Sequence, residues 1–288
     1  MRLGLIQIFC TLLISILNIQ VFAAEGFKGY SEQMPDAVKN AWPASFMTLI
    51  EEPKTYIHGT AFLIHVTNSG MNSQLYFLTS KHLLHGHCNR IGFCPELQLF
   101  GEAQLEVIAS AERLVYGRNR LANVEVLKLS SKPDLALLRV VVKSQGMPLP
   151  KALFISPKCS LSIGDQLYAV GFPNMTLRRA PQTQILELKN TIIKRWSSGI
   201  FVGTVDTREG KNLLLGTTVD SLVGNSGGPY LNEQGEVVGL AQLSASVSEN
   251  NYQYTGIEIL GQLDWQSEAI TCLDLHEFLD SEINRARP

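Results

Sequence analysis

Gly224-Asn-Ser-Gly-Gly-Pro229 sets one hydroxyl among turn-forming neighbours. Glycine reaches backbone conformations that other residues resist, so such a stretch can turn sharply and aim amide N–H groups to one side. A serine on that turn can be presented to a substrate carbonyl, with donors placed where negative charge will develop, as an acyl-transfer nucleophile requires. The same composition suits a plain Gly-rich hairpin, so Ser226 as a nucleophile needs a base and an orienting carboxylate from elsewhere. Two segments offer them. His82 closes the apolar, β-prone run from Leu75 to Leu84, where a strand would hold an imidazole able to take a proton near neutrality. Asp134 follows Pro133, which disfavours helix for Lys132, and opens a strongly apolar run to Val140. A partly buried carboxylate there needs a hydrogen-bonding partner, and an imidazole N–H is a suitable one. Each residue alone has a bland explanation, a structural histidine beside His85 and His87 or a strand-starting aspartate. In the order His82, Asp134, Ser226 they compose a base, its orienter and a nucleophile.

The elements that must position these residues are β-strands. Short β-prone segments separated by turn residues run from residue 45 to about 260, among them 58–66, 75–80, 123–129, 135–142, 167–171, 200–205, 213–219 and 236–243. This spacing predicts an all-β barrel or sandwich. No internal repeat, low-complexity tract or heptad run interrupts it. Gln145–Pro150 is a Gly/Pro crossing between two strand groups. Leu273–Asn284 carries apolar residues at helical spacing, with His276 expected at its surface.

Leu78-Thr-Ser-Lys-His82, Asp134-Leu-Ala-Leu-Leu138 and Gly224–Pro229 resemble, in order, the three catalytic segments of chymotrypsin-fold serine peptidases. The order His, Asp, Ser is that of the chymotrypsin group and differs from those of subtilisins and α/β-hydrolases. His58-Gly-Thr-Ala-Phe-Leu-Ile64 is similar to the strand that precedes the histidine, and Ile163–Pro173 and Gly235–Leu240 to second-barrel strands of bacterial members, including the HtrA type. The likeness covers about residues 45–262; its histidine motif departs from the usual Ala-Ala-His form. It implies two six-stranded antiparallel Greek-key barrels and a C-terminal helix: barrel one at about 45–144, barrel two at about 150–262 and the helix at about 271–284, all within a peptidase domain at 45–288 behind an extension at 24–44. The 62 residues after Ser226 leave no room for a PDZ module.

Met1-Arg2, the apolar stretch Leu3–Leu17 and the small residues Ala23-Ala24 read as a signal peptide over 1–23, with an uncleaved anchor as the alternative. The chain is therefore expected to be secreted or periplasmic, with no membrane association once the signal is removed. Without Arg2, 23 basic residues stand against 26 acidic ones, so nothing points to a nucleic-acid partner. Cys88, Cys94, Cys159 and Cys272 allow three pairings, and an oxidising compartment favours disulfides. Cys88–Cys94 is expected to close a loop after the histidine, and Cys159–Cys272 to tie the terminal segment to barrel two; free buried thiols are the alternative. The spacing of His85, His87, Cys88 and Cys94 fits no common zinc pattern. No metal or cofactor is expected, and the chain is expected to be a monomer.

The resemblance implies that His82 takes the Ser226 proton, that Asp134 holds the histidine's other N–H, and that the amides of Gly224 and Ser226 form the oxyanion hole. Asn225 stands where zymogen-activated relatives usually carry Asp, so a terminal amine has no carboxylate to pair with and the protease is expected to fold active. Asp220, six residues before Ser226, occupies the place of a specificity-pocket aspartate and would select Arg or Lys; an Asp that only anchors the loop is the alternative. Asn174-Met-Thr176 is a chance glycosylation sequon, and Arg178-Arg179 and Lys194-Arg195 read as solvated loop pairs. The function implied is an exported serine endopeptidase acting on protein or peptide substrates. A catalytically silent binding protein, or a narrow esterase or self-cleaving peptidase, is the alternative.

Overall fold

The computed structural model describes residues 27–283, apart from 32, 54, 85, 89, 109–110, 144–147, 175–190, 207–212 and 245–266. The signal segment, His85, Thr176, Arg178-Arg179 and part of the 145–150 crossing lie outside the described residues.

The first half folds around β1 (Ser45–Glu51), β2 (Tyr56–Ser69), β3 (Asn72–Ser80), β4 (Gly92–Cys94), β5 (Leu97–Ile108), β6 (Ala111–Leu121), β7 (Val124–Leu129) and β8 (Leu135–Lys143). These pair antiparallel in the order β5-β1-β2-β3-β8-β7-β4, and β6 also pairs with β5. The β4 end of this path and β5 are two residues apart in sequence, so the sheet must roll round on itself. Its strands alternate buried and half-buried positions where one face is partly covered, as at Val124–Leu127 of β7, and are buried throughout where both faces are covered, as at Leu135–Leu138 of β8. Phe62, Phe77, Leu78, Leu99 and Leu138 fill the interior.

The second half forms a closed barrel. β9 (Gln166–Gly171), β11 (Arg195–Asp206), β12 (Leu213–Thr217), β13 (Pro229–Leu231), β14 (Val237–Ser244) and β15 (Ser267–Thr271) close in the order β11-β12-β15-β14-β13-β9. Leu167, Phe201, Leu215, Val219, Tyr230 and Ala269 pack inside it. A helix at Cys272–Ile283 follows, its Asp274 amide bonded to Thr271 Oγ1 at 3.2 Å as a cap, and it buries Leu275, Phe278 and Leu279 against the body. The two-barrel plan with a C-terminal helix is thus present. The first sheet has nine strands rather than six, because β4 adds an edge strand beyond β7, β5 runs on into a hairpin with β6, and β10 (Thr191–Ile193), from the second half, pairs with β5.

Both expected disulfides are present, Cys88–Cys94 and Cys159–Cys272. The first uses both thiols beside His87, whose ring nitrogen instead faces Glu52 Oε1 at 3.2 Å. No helix among the described residues is long and apolar enough to cross a membrane.

Candidate active site

β3 ends at Ser80, and the chain turns at once into a 3₁₀ turn, Lys81–Leu84, that carries His82 out of the sheet. The turn is fastened to the loop before β8. Lys81 N–H donates to the Asp134 carbonyl at 3.2 Å and Lys81 Nζ to the Ser130 carbonyl at 2.8 Å. The Asp134 carboxylate holds His82 twice: Oδ1 accepts the His82 backbone N–H at 2.8 Å, and Oδ2 is hydrogen-bonded to Nδ1 of the ring. Two anchors on one residue fix the ring's position and its orientation together. The His82 side chain stays 46% exposed while that of Asp134 is 15% exposed, so the carboxylate is shielded and the ring's far edge can meet a reactant.

Ser226 sits in a tight turn between β12 and β13. Asn225 N–H donates to Leu222 O at 2.9 Å and Gly228 N–H to Asn225 O at 2.8 Å. Gly224 has φ +99° and Gly227 φ +83°, conformations open to glycine and costly for other residues. The space forbids side chains as well: a Cβ on Gly224 would lie 2.2 Å from the Phe172 carbonyl oxygen, and one on Gly227 2.1 Å from that of Thr60. Among the described residues, the amides of Gly224 and Ser226 donate to no carbonyl.

The two halves meet at this turn. Thr60 of β2 donates its N–H to Ser226 O and its hydroxyl to Gly224 O, both at 2.8 Å. Ala241 of β14 accepts the Gly227 N–H at 2.7 Å and the Ser80 hydroxyl at 3.3 Å. One carbonyl therefore ties the residue after Ser226 to the residue two before His82. Among the described residues, His82 and Ser226 make no hydrogen bond with each other; Ser226 Oγ donates instead to Gln242 O at 3.1 Å. Thr60, Ser80 and Gln242 were not singled out from sequence, although Thr60 and Ser80 lie inside the quoted motifs.

Asn225 is buried, and its Oδ1 has no partner among the described residues. Gly171 leaves it room, since a Cβ there would lie 2.6 Å from that oxygen. Asp220 is half-buried, and burial pushes its carboxyl above the usual range. Ser197 Oγ fixes its backbone carbonyl at 2.8 Å, and its charge is felt by the Tyr230 phenol inside the barrel. One sequence expectation is corrected here. Lys194 is not a solvated loop residue: it is 7% exposed, packed under Trp42, with Nζ donating to the Trp42 carbonyl at 2.8 Å. Arg195 beside it opens β11. His276 is half-exposed on the helix, and its Nε2 lies 2.9 Å from Ser156 O.

This arrangement has the parts of an acyl-transfer site on a double β-barrel, and residues 59–240 match the family model described as "Trypsin-like peptidase domain". The chain belongs to that family. Among solved structures it is similar to "HtrA-type protease AlgW with tripeptide", at 20% identity and TM-score 0.52, covering 87% of this chain and 64% of that one. It is also similar to "HtrA-type protease AlgW with decapeptide", at 17% identity and TM-score 0.51, covering 86% and 67%. The chain thus spans a little under two thirds of the first of these, and the likeness bears on the fold. No individual curated protein sequence matches it.

Proposed function

We propose that this protein is an exported serine endopeptidase in which Ser226 attacks the scissile carbonyl, His82 takes the hydroxyl proton and returns it to the leaving amine, and Asp134 holds His82 Nδ1–H. The acyl-enzyme so formed is released by water activated by the same histidine. The Gly224 and Ser226 amides stabilise the oxyanion, an effect in which each donor contributes roughly 100- to 1000-fold in rate. The observation that carries this reading is the doubly anchored His82–Asp134 pair, fastened through Ser80 and Ala241 to the turn that holds Ser226. Ser226 Oγ now donates to Gln242 O, so reaction begins with rotation of that side chain towards His82. No metal or cofactor enters the scheme. The substrate is a protein or peptide, taken up by a monomer in a secreted or periplasmic setting, where the two disulfides are stable.

Asp220 makes the preferred P1 residue Arg or Lys, because a half-buried carboxylate gains most from a cation brought to it. Asp220→Ala should lower cleavage after Arg while leaving cleavage after Phe; an unchanged Arg preference removes Asp220 from the pocket. The bond from Ser226 to Gln242 also favours a second reading, a binding protein on a silent site. A fluorophosphonate probe decides between them. Labelling of the native chain, lost in Ser226→Ala and His82→Ala, supports the peptidase, and no labelling of the folded native chain supports the binder. Digestion of casein then separates an endopeptidase from a narrow esterase.

A further inference from the structure

A cavity of about 420 Å³ lies where the N-terminal segment crosses the β5–β6 hairpin and the end of β10. It shares no lining residue with the site around Ser226. Trp42 and Tyr116 line it, and the largely exposed Tyr30 stands at its rim, edge to face with Trp42 at 5.8 Å. Two opposite charges also line it. Lys194 is buried, its Nζ 5.5 and 5.4 Å from the ring centres of Trp42 and Phe172. Glu102 accepts the Tyr116 hydroxyl through Oε2 at 3.1 Å. Lys194 feels the Glu102 charge, yet the two make no ion pair with each other, so a buried amine and an exposed carboxylate both line the groove beside the aromatic rings. A ligand complementary to it carries both charges and a flat apolar group.

We propose that this cavity binds a free aromatic α-amino acid, with its carboxylate on Lys194, its ammonium on Glu102 and its ring against Trp42 and the two tyrosines. The volume lies near the lower end of the range for small-molecule pockets, which suits a single residue better than a peptide. Burial lowers the Lys194 pKa to about 7, so the amine is mostly neutral in mildly alkaline solution. A carboxylate at that nitrogen favours its charged form, and binding draws one proton from solvent.

The test is calorimetric titration of the full chain with phenylalanine and tryptophan at about pH 8, in two buffers of different ionisation heat, where linkage gives the protons taken up. The expected result is saturable binding with close to one proton absorbed per ligand. Phenylalaninamide lacks the carboxylate and N-acetylphenylalanine lacks the ammonium; each should bind about 10- to 100-fold more weakly, the usual loss for one charged hydrogen bond. Lys194→Met should lose a similar factor and Lys194→Arg should retain binding without proton uptake, both judged on protein with a cooperative unfolding transition. Glu102→Gln should weaken phenylalanine but not 3-phenylpropionate. Absence of binding at about 10 mM ligand, an affinity too weak to matter, overturns the assignment. So does N-acetylphenylalanine binding as well as phenylalanine, or phenylalanine binding without proton uptake. The arms on the native protein hold whether or not the variants fold.

Discussion

Replacing Asp134 by Asn alters one atom, and the hydrogen bonds determine which way the amide must sit. The His82 backbone N–H, 2.8 Å from Oδ1, is a fixed donor. An Asn that turned its NH₂ towards that donor would set two donors against each other, so the amide oxygen stays on the backbone and the NH₂ faces the ring. The imidazole must then accept at Nδ1, which moves its proton to Nε2 and leaves no lone pair there to receive the Ser226 proton. Geometry is retained and the tautomer is wrong. A change of this kind in a Ser-His-Asp site costs about 10⁴ in kcat, and at about 1.4 kcal/mol per decade that is roughly 5 kcal/mol of lost transition-state stabilisation. The assay is the rate of fluorophosphonate labelling and of peptide hydrolysis by Asp134→Asn, alongside its unfolding midpoint, which should fall little because the backbone bond survives. A loss of less than about tenfold in a folded variant would refute the argument, since the double anchor would then have nothing to do with proton transfer.

Gly224→Ala should abolish labelling and lower stability by about 1–3 kcal/mol or more, because the φ of +99° is unfavourable for alanine and the new Cβ meets the Phe172 carbonyl at 2.2 Å; an unchanged thermal midpoint would contradict the turn geometry. The two disulfides should differ in weight. Cys159–Cys272 closes a sequence separation of 113 and Cys88–Cys94 one of 6, and loop-closure entropy gives about 5 and about 2 kcal/mol respectively. Equal losses in the two paired Cys→Ser variants, measured by denaturant unfolding, would sink that ranking. Lys194 should make stability depend on pH. In the unfolded chain a lysine keeps its proton to about pH 10, whereas in the fold it does so only to about 7. Between those values the unfolded state binds more protons, so this residue's contribution rises with pH across the window and is lost as pH falls through 7. The stability of the native chain relative to Lys194→Met should therefore rise from pH 7 to 10; a pH-independent difference would show that burial does not hold back the charge.

The strands were legible where the pattern was simple. Leu75–Ser80 and Leu135–Val142 are dense in β-branched, aromatic and leucine residues, and both fall within observed strands, β3 and β8. The β5–β6 hairpin was less legible for a physical reason. Leu97–Ile108 and Ala111–Leu121 interrupt their aliphatics with Glu, Gln, Gly, Ala and Arg, and what holds them as strands is pairing with each other and with β1. β10 shows the same limit more strongly, since its three residues pair with Gln104–Glu106, far away in sequence. Lys194 follows from that crossing. A Lys-Arg pair reads as solvated until Trp42 is brought over it, and nothing local to residues 191–195 announces that contact.

The candidate site divides along the same line. Asp134 and His82 could be read because each is set by its own strand end: a proline-guarded turn opens β8 and a polar cluster closes β3. That they meet follows from β3 and β8 being neighbours, with Ser80 opposite Leu135 in register, which places His82 two residues beyond one strand's end and Asp134 one residue before the other's start. The approach of Ser226 has no such local cause. It depends on Thr60 reaching across to the Gly224 and Ser226 carbonyls and on Ala241 O serving both Gly227 and Ser80. A threonine and a serine inside apolar strands look like small polar interruptions in a sequence. Buried here, their hydroxyls and amides must find partners, and those available are the carbonyls of the turn that carries Ser226 and of Ala241, which holds that turn. The need to satisfy those buried groups is what sets the two halves in register, so the serine's placement is decided by residues that carry no chemistry of their own.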